Sequence, residues 1–117
     1  MLFLCLIGCG RGTLPDADQP VSHWLEMLKS TDRQDRKKAI RNLAEKKETD
    51  PVVITGLIAT LKDKHPDVRY EGILALEKLG PSAKDALPAL KELQKDPDYK
   101  LRMRVAEAIR RIQQGKT

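Results

Sequence analysis

Aromatic residues are nearly missing from this 117-residue chain, which has one Trp, one Phe and two Tyr. That scarcity removes the stacking platforms on which single-stranded nucleic acid is usually held. Cysteine is as sparse: Cys5 and Cys9 both fall within the first ten residues, away from any cluster of other ligands, so neither a disulfide framework nor a zinc site is expected. Only His23 and His65 offer imidazoles, there is no Gly-rich phosphate loop, and no apolar run approaches the roughly 18 residues of a membrane-crossing helix. His65 stands beside Pro66 in a turn, and Ser22, Ser30 and Ser82 sit at helix starts or turns, where a hydroxyl caps the backbone. No nucleophile, base or metal set converges, so no catalytic residue, metal ligand or cofactor is expected.

What remains is aliphatic and charged. Leu, Ile, Val and Ala supply nearly all the apolar content, and 33% of the residues are charged, a composition that favours helices over strands. The length suits one domain with a core of its own. The net charge of +5 is concentrated: residues 29–47 hold eight basic against three acidic residues, and the other 14 basic and 14 acidic residues balance. Uniformly basic grooves serve nucleic acid, so only residues 29–47 offer that alternative, and a steep salt dependence of binding would mark it.

Sliding the chain along itself brings Arg36, Arg69 and Arg102 into line at intervals of 33 residues. On the same offset Ile40 meets Ile73 and Ala106, Leu43 meets Leu76 and Ile109, and Ala39 meets Gly72 and Val105. Upstream, Val21, Trp24, Leu25 and Leu28 fall on Ile54, Leu57, Ile58 and Leu61; the third copy reads as Ala86, Ala89, Leu90 and Leu93 on an offset of 32. That shift places one extra residue between Leu93 and Asp96. Apolar residues recur at three and four within each copy, as in Leu101, Val105, Ala108, Ile109 and Ile112, which is the spacing of a helix with one buried face. Pro66 and Pro97 mark helix starts, and Gly80-Pro81 marks a helix end. Six helices are predicted, near residues 20–30, 33–47, 51–62, 66–79, 86–95 and 98–113. A period of this length is the signature of a solenoid.

The second copy, with Leu57, Leu61, Lys62-Asp63, Pro66-Asp67-Val68-Arg69, Ala75-Leu76 and Leu79-Gly80, resembles the HEAT-repeat family, in particular its short bacterial members. The resemblance covers about residues 20–113 and implies an all-α fold: a short α-solenoid of about three helical hairpins over residues 20–114. In this family an Asp in the turn and an Arg six residues later bond across neighbouring repeats. Asp63 with Arg69 and Asp96 with Arg102 have that spacing, and the resemblance gives them a structural role. The first copy departs, with Ser30 in place of the Asp and Lys46 at the position of Leu79, and reads as a capping repeat.

In HEAT-like arrays the second helix of each hairpin lines a concave, partner-facing side. The positions off the buried stripe there are Lys37, Lys38 and Arg41, then Tyr70, Glu71 and Leu74, then Met103, Arg104 and Glu107. This mixed ladder suits a protein or peptide better than nucleic acid. The expected function is a non-enzymatic protein-binding scaffold, monomeric, with Lys37, Lys38, Arg41, Tyr70, Glu71, Met103, Arg104 and Glu107 as its contact residues. HEAT-like repeats also occur in bilin lyases and DNA glycosylases, which makes an enzyme or enzyme accessory the alternative. That reading requires a cleft flanked by acidic and aromatic residues.

The start of the chain carries a separate signal. Residues 2–7 are continuously apolar, and Leu6-Ile7-Gly8-Cys9 is similar to the lipobox of bacterial lipoproteins, which implies lipid attachment at Cys9 and removal of Met1 to Gly8. No Lys or Arg precedes the apolar stretch, and it is shorter than the roughly 7 to 15 residues of a signal core. A start assigned downstream of the true one accounts for both departures. Residues 1–9 are thus expected to be a truncated signal peptide and residues 10–19 a flexible linker, the stretch from Gly10 to Pro20 holding two Gly, two Pro and two Asp. The expected location is the bacterial cell envelope, as a membrane-anchored lipoprotein, with the cytoplasm as alternative. Expression from an upstream start, followed by weighing the mature N-terminus, is expected to find lipidated Cys9 as the first residue. Unmodified Cys9 in a soluble protein that keeps Met1 to Gly8 contradicts it.

Overall fold

The computed structural model describes residues 14–47 and 49–115, so Cys9 and the apolar leader lie outside the described residues. A 3-10 turn at Asp16–Asp18 precedes six α-helices: α1 (Val21–Met27), α2 (Arg33–Glu45), α3 (Pro51–Thr60), α4 (Pro66–Leu79), α5 (Leu87–Glu92) and α6 (Tyr99–Gln114). Further 3-10 turns occupy Gly80–Ala86 and Leu93–Lys95. Among the described residues there is no strand, and no helix is long and apolar enough to cross a membrane.

Local chemistry places the helix starts. Asp32, Asp50 and Asp98 are N-caps whose carboxylates accept from the backbone N–H groups of Gln34, Val52 and Lys100 at 2.8, 2.9 and 2.8 Å. Pro51 and Pro66 occupy first-turn positions, where a missing N–H costs nothing. Gly80 closes α4 with φ of 64°. Lys47 takes the same position after α2 with φ of 51°, a conformation that costs a side chain about 1 kcal/mol. The first repeat is less well closed as a result.

Each hairpin packs its first helix on its second: α1 on α2, α3 on α4, α5 on α6. The second helices also stack, α2 on α4 and α4 on α6, and this row carries the array. Arg36, Ala39, Ile40 and Leu43 of α2, Val68, Gly72, Ile73 and Leu76 of α4, and Leu101, Val105, Ala108 and Ile112 of α6 form its buried stripe. Trp24, Leu57 and Leu90 are fully buried at one register position of the first helices.

That last trio alters the register expected for the third copy. Burial pairs Val53 with Ala86, Leu57 with Leu90, and Thr60 with Leu93, an offset of 33 that needs no extra residue. The offset of 32 arose because Thr60 does not count as apolar in a sequence pattern. Its hydroxyl is satisfied within α3, donating to the Leu57 carbonyl at 2.5 Å, so the side chain is buried like its neighbours. The predicted helix over 86–95 is also shorter: only Leu87–Glu92 is α-helical, between the 3-10 turns Gly80–Ala86 and Leu93–Lys95.

Gly72 shows how close the layers come. A Cβ there would fall inside the van der Waals radius of Thr60 Oγ1. In an open helix Gly→Ala stabilises by about 1 kcal/mol. Here Gly72→Ala is expected to destabilise by about 1–3 kcal/mol through overpacking, and Thr60→Ala in the same chain to recover most of the loss. Urea unfolding of the two single variants, the double variant and the parent checks this; an unchanged Gly72→Ala midpoint contradicts it.

Candidate functional site

The in-register arginines form one continuous device. Arg36 Nη1 donates to the Ser30 carbonyl at 2.8 Å, Arg69 Nη1 to the Asp63 carbonyl at 2.7 Å, and Arg102 Nη1 to the Asp96 carbonyl at 2.6 Å. Each arginine thereby closes its own turn. The rest of the guanidinium reaches the next repeat: Arg36 Nε and Nη2 donate to the two oxygens of Asp63 at 2.6 and 3.0 Å. Arg69 Nη2 donates to Asp96 Oδ1 at 3.3 Å, and Arg69 Nε lies 3.0 Å from Asp96 Oδ2, off the hydrogen-bond axis. The spacing of six residues is thus an intra-repeat bond to main chain, while the inter-repeat carboxylate lies 27 residues ahead.

Arg36 belongs to this ladder, although Ser30 replaces the Asp in its own turn. Its intra-repeat acceptor is a main-chain oxygen, so the identity of residue 30 does not matter to that bond. Ser30 Oγ also accepts from the Asp32 N–H at 3.1 Å, as Asp63 and Asp96 accept from the N–H groups of His65 and Asp98 at 3.0 and 2.9 Å. A serine suffices where no preceding arginine needs a carboxylate.

A family model for HEAT repeats matches residues 21–113. The chain belongs to the HEAT-repeat family. A comparison with curated proteins finds no match. HEAT repeats generally mediate protein–protein interaction, and the fold is typically a non-enzymatic scaffold. The candidate site is the solvent-facing side of the second helices, α2, α4 and α6.

On that face the predicted contact residues are held by pairs between adjacent HEAT repeats. Lys37 lies 3.5 Å from Asp67, Arg41 3.2 Å from Glu71, and Lys78 2.7 Å from Glu45. Lys38 instead reaches back to Asp16 at 2.9 Å. Arg104 donates to Glu77 at 2.9 Å, Arg111 lies 3.0 Å from the other Glu77 oxygen, and Glu107 pairs with Arg110 along α6. Tyr70 is half-buried and Met103 exposed. Two shallow grooves follow the face and share Glu71. One, of about 570 Å³, runs past Ile40, Leu74, Glu77 and Arg111; the other, of about 620 Å³, runs past Arg33, Tyr70 and Lys100.

Glu77 is the residue that sequence reasoning missed. Its carboxylate is 8% exposed and is gripped by two arginines of the next HEAT repeat. Its register equivalents are Ala44 and Arg110, so the repeat pattern carries no signal for it. The Glu77 hydrogen bond, with its charge, holds the Arg104 guanidinium above its ordinary pKa despite burial. Among the described residues no group of three or more His, Cys, Asp or Glu is arranged to hold a metal.

The ladder also fixes a pH dependence. Burial pushes the Asp63 carboxyl up, but hydrogen bonds from Arg36 and the His65 N–H, with the charge of Arg36, outweigh it and leave the group below the usual range. Asp67 is likewise lowered, burial being outweighed by the charges of Arg33 and Lys37. A folded pKa below the unfolded one gives stability that is complete above the ordinary carboxylate value, about 4, and is lost as pH falls through the folded value. The urea midpoint is therefore expected to fall below about pH 4. Asp63→Asn should cost about 3 kcal/mol at pH 7 by leaving the Arg36 charge buried without its partner, and should flatten the acid loss. A parent protein equally stable at pH 7 and at pH 3 contradicts the assignment.

Proposed function

We propose that this HEAT-repeat protein is a non-enzymatic scaffold that holds a protein or peptide partner along the face of α2, α4 and α6, as the concave side of the array. The observation that carries the reading is the pair of grooves sharing Glu71, lined by both signs of charge with Tyr70 and Leu74 between them. Tyr, Met and Arg are the residue types that protein interfaces favour. The pair made by Arg41, whose side chain is exposed, does not oppose binding, because ion pairs at the surface are worth about 0–1 kcal/mol and exchange for a partner's charges at little cost. Mixed charge and scarce aromatics favour a protein over nucleic acid. Anchoring through a lipid at Cys9 would place the module at a membrane surface.

Cross-linking in the cell-envelope fraction isolates the partner, and its purified form is then titrated against variants. Combined Lys37→Ala, Arg41→Ala and Met103→Ala is expected to weaken binding at least about tenfold, since a few contact residues carry most of the affinity. Lys91→Ala on α5 should leave binding unchanged, and both proteins should unfold within about 1 kcal/mol of the parent. Unchanged affinity in the triple variant contradicts the assignment of the face.

A further inference from the structure

The two ends of the array are chemically unlike. At the N-terminal end, the segment from Leu14 to Gln19 occupies the place of a preceding repeat. Asp16 pairs with Lys38, and Lys46 Nζ donates to the Ala17 carbonyl at 3.0 Å. Lys38 is the register equivalent of Glu71, which in the second repeat faces Arg41 of the repeat before it. The ladder carboxylate is also gone at this end, replaced by Ser30. This end is closed.

At the other end the ladder cation is still there. Arg102 closes its own turn through the Asp96 and Pro97 carbonyls, at 2.6 and 3.2 Å, and has no carboxylate partner among the described residues. It is exposed, whereas Arg36 and Arg69 lie against the next repeat's aspartate. Its guanidinium lies over the Tyr99 ring, 5.7 Å from the centroid, and Tyr99 is 64% exposed. Ala106 is exposed where its equivalents Ile40 and Ile73 are fully buried. An unpartnered guanidinium, an open aromatic and an exposed alanine thus share one surface of α6.

We propose that the Tyr99–Arg102–Ala106 surface docks a helical hairpin of a partner protein whose inter-helix turn presents an aspartate to Arg102. Arg36–Asp63 and Arg69–Asp96 are two worked examples of the contact within the chain itself. A second copy of this protein is the wrong occupant, because its leading end offers Ser30 for the aspartate and is covered by residues 14–19. This surface adjoins Met103 of the face proposed for the main partner, three and four residues along α6 from Ala106 and Tyr99; the test below reads only Arg102 and the appended aspartate, so its outcome is distinguishable from that of the main face.

The test extends the full chain beyond Gly115 with a second copy of its residues 81–115, which supplies an aspartate turn at effectively high concentration. Urea unfolding is measured for the parent, the extended chain, and the extended chain with Arg102→Ala, with Asn at the repeated Asp96, and with both. Arg102→Ala in the unextended parent corrects for the two carbonyl bonds. The extended chain is expected to unfold in one transition at a higher midpoint than the parent. Each substitution should remove most of that gain, and the double variant should lose little more than either single one. Separate unfolding of the appended hairpin at lower urea, or additive effects of the two substitutions, overturns the docking chemistry. Concentration-dependent association of the unextended chain, abolished by Arg102→Ala in sedimentation, reassigns the surface to a second copy and overturns the choice of partner.

Discussion

The arginine at the start of each second helix is the contact on which the array depends. One guanidinium performs two tasks at once: a single Nη closes the turn of its own repeat, and the remaining N–H groups engage the aspartate of the next. A planar fork with five donors can do this, and a lysine, with one compact ammonium, cannot. The pairs are nearly buried, with Arg36 at 8% and Asp96 at 7% exposure, so much of their attraction is offset by lost hydration. Their larger contribution is to register. Only one stacking of adjacent hairpins sets Arg36 against Asp63 and Arg69 against Asp96, whereas an aliphatic interface of Leu and Ile tolerates sliding.

That register then aligns the other features. The row α2, α4, α6 brings Arg41 to Glu71, Glu45 to Lys78 and Glu77 to Arg104, each pair spanning two hairpins. Within the second hairpin, Gly72 of α4 approaches Thr60 of α3 where no side chain fits. In a solenoid each repeat touches only its neighbours, so these pairs, the arginine ladder and the aliphatic stripe of α2, α4 and α6 couple the array. The result is a charged face held in fixed spacing, with grooves lined by both signs of charge and by apolar side chains such as Ile40, Leu74 and Leu101.

Much of this was legible in the sequence because the constraint repeats. The 33-residue recurrence of Arg36, Arg69 and Arg102 and the aliphatic stripes located the helices, and Pro66 and Gly80 marked boundaries that the structure shares. What was illegible does not repeat. Glu77 has an alanine and an arginine at its equivalent positions, and its partners Arg104 and Arg111 lie a full repeat away. Thr60 hid the register of the third copy, since a hydroxyl bonded within its own helix packs as an apolar group. Arg36 was obscured by reading the ladder as side chain to side chain, when half of it ends on main-chain oxygen. The docking of Asp16 and Ala17 on α2 had no pattern to announce it, being a contact of charges on non-repeating chain.

The account rests on coupling between repeats through the arginine ladder, and a double-mutant cycle on Arg36→Ala and Asp63→Ala measures that coupling most directly. Urea unfolding of the parent, both single variants and the double variant is predicted to give an interaction energy of roughly 1 to 3 kcal/mol, with the double variant no less stable than the worse single one. An interaction energy within a few tenths of a kcal/mol of zero would show that the repeats stack without the ladder, and would contradict the account.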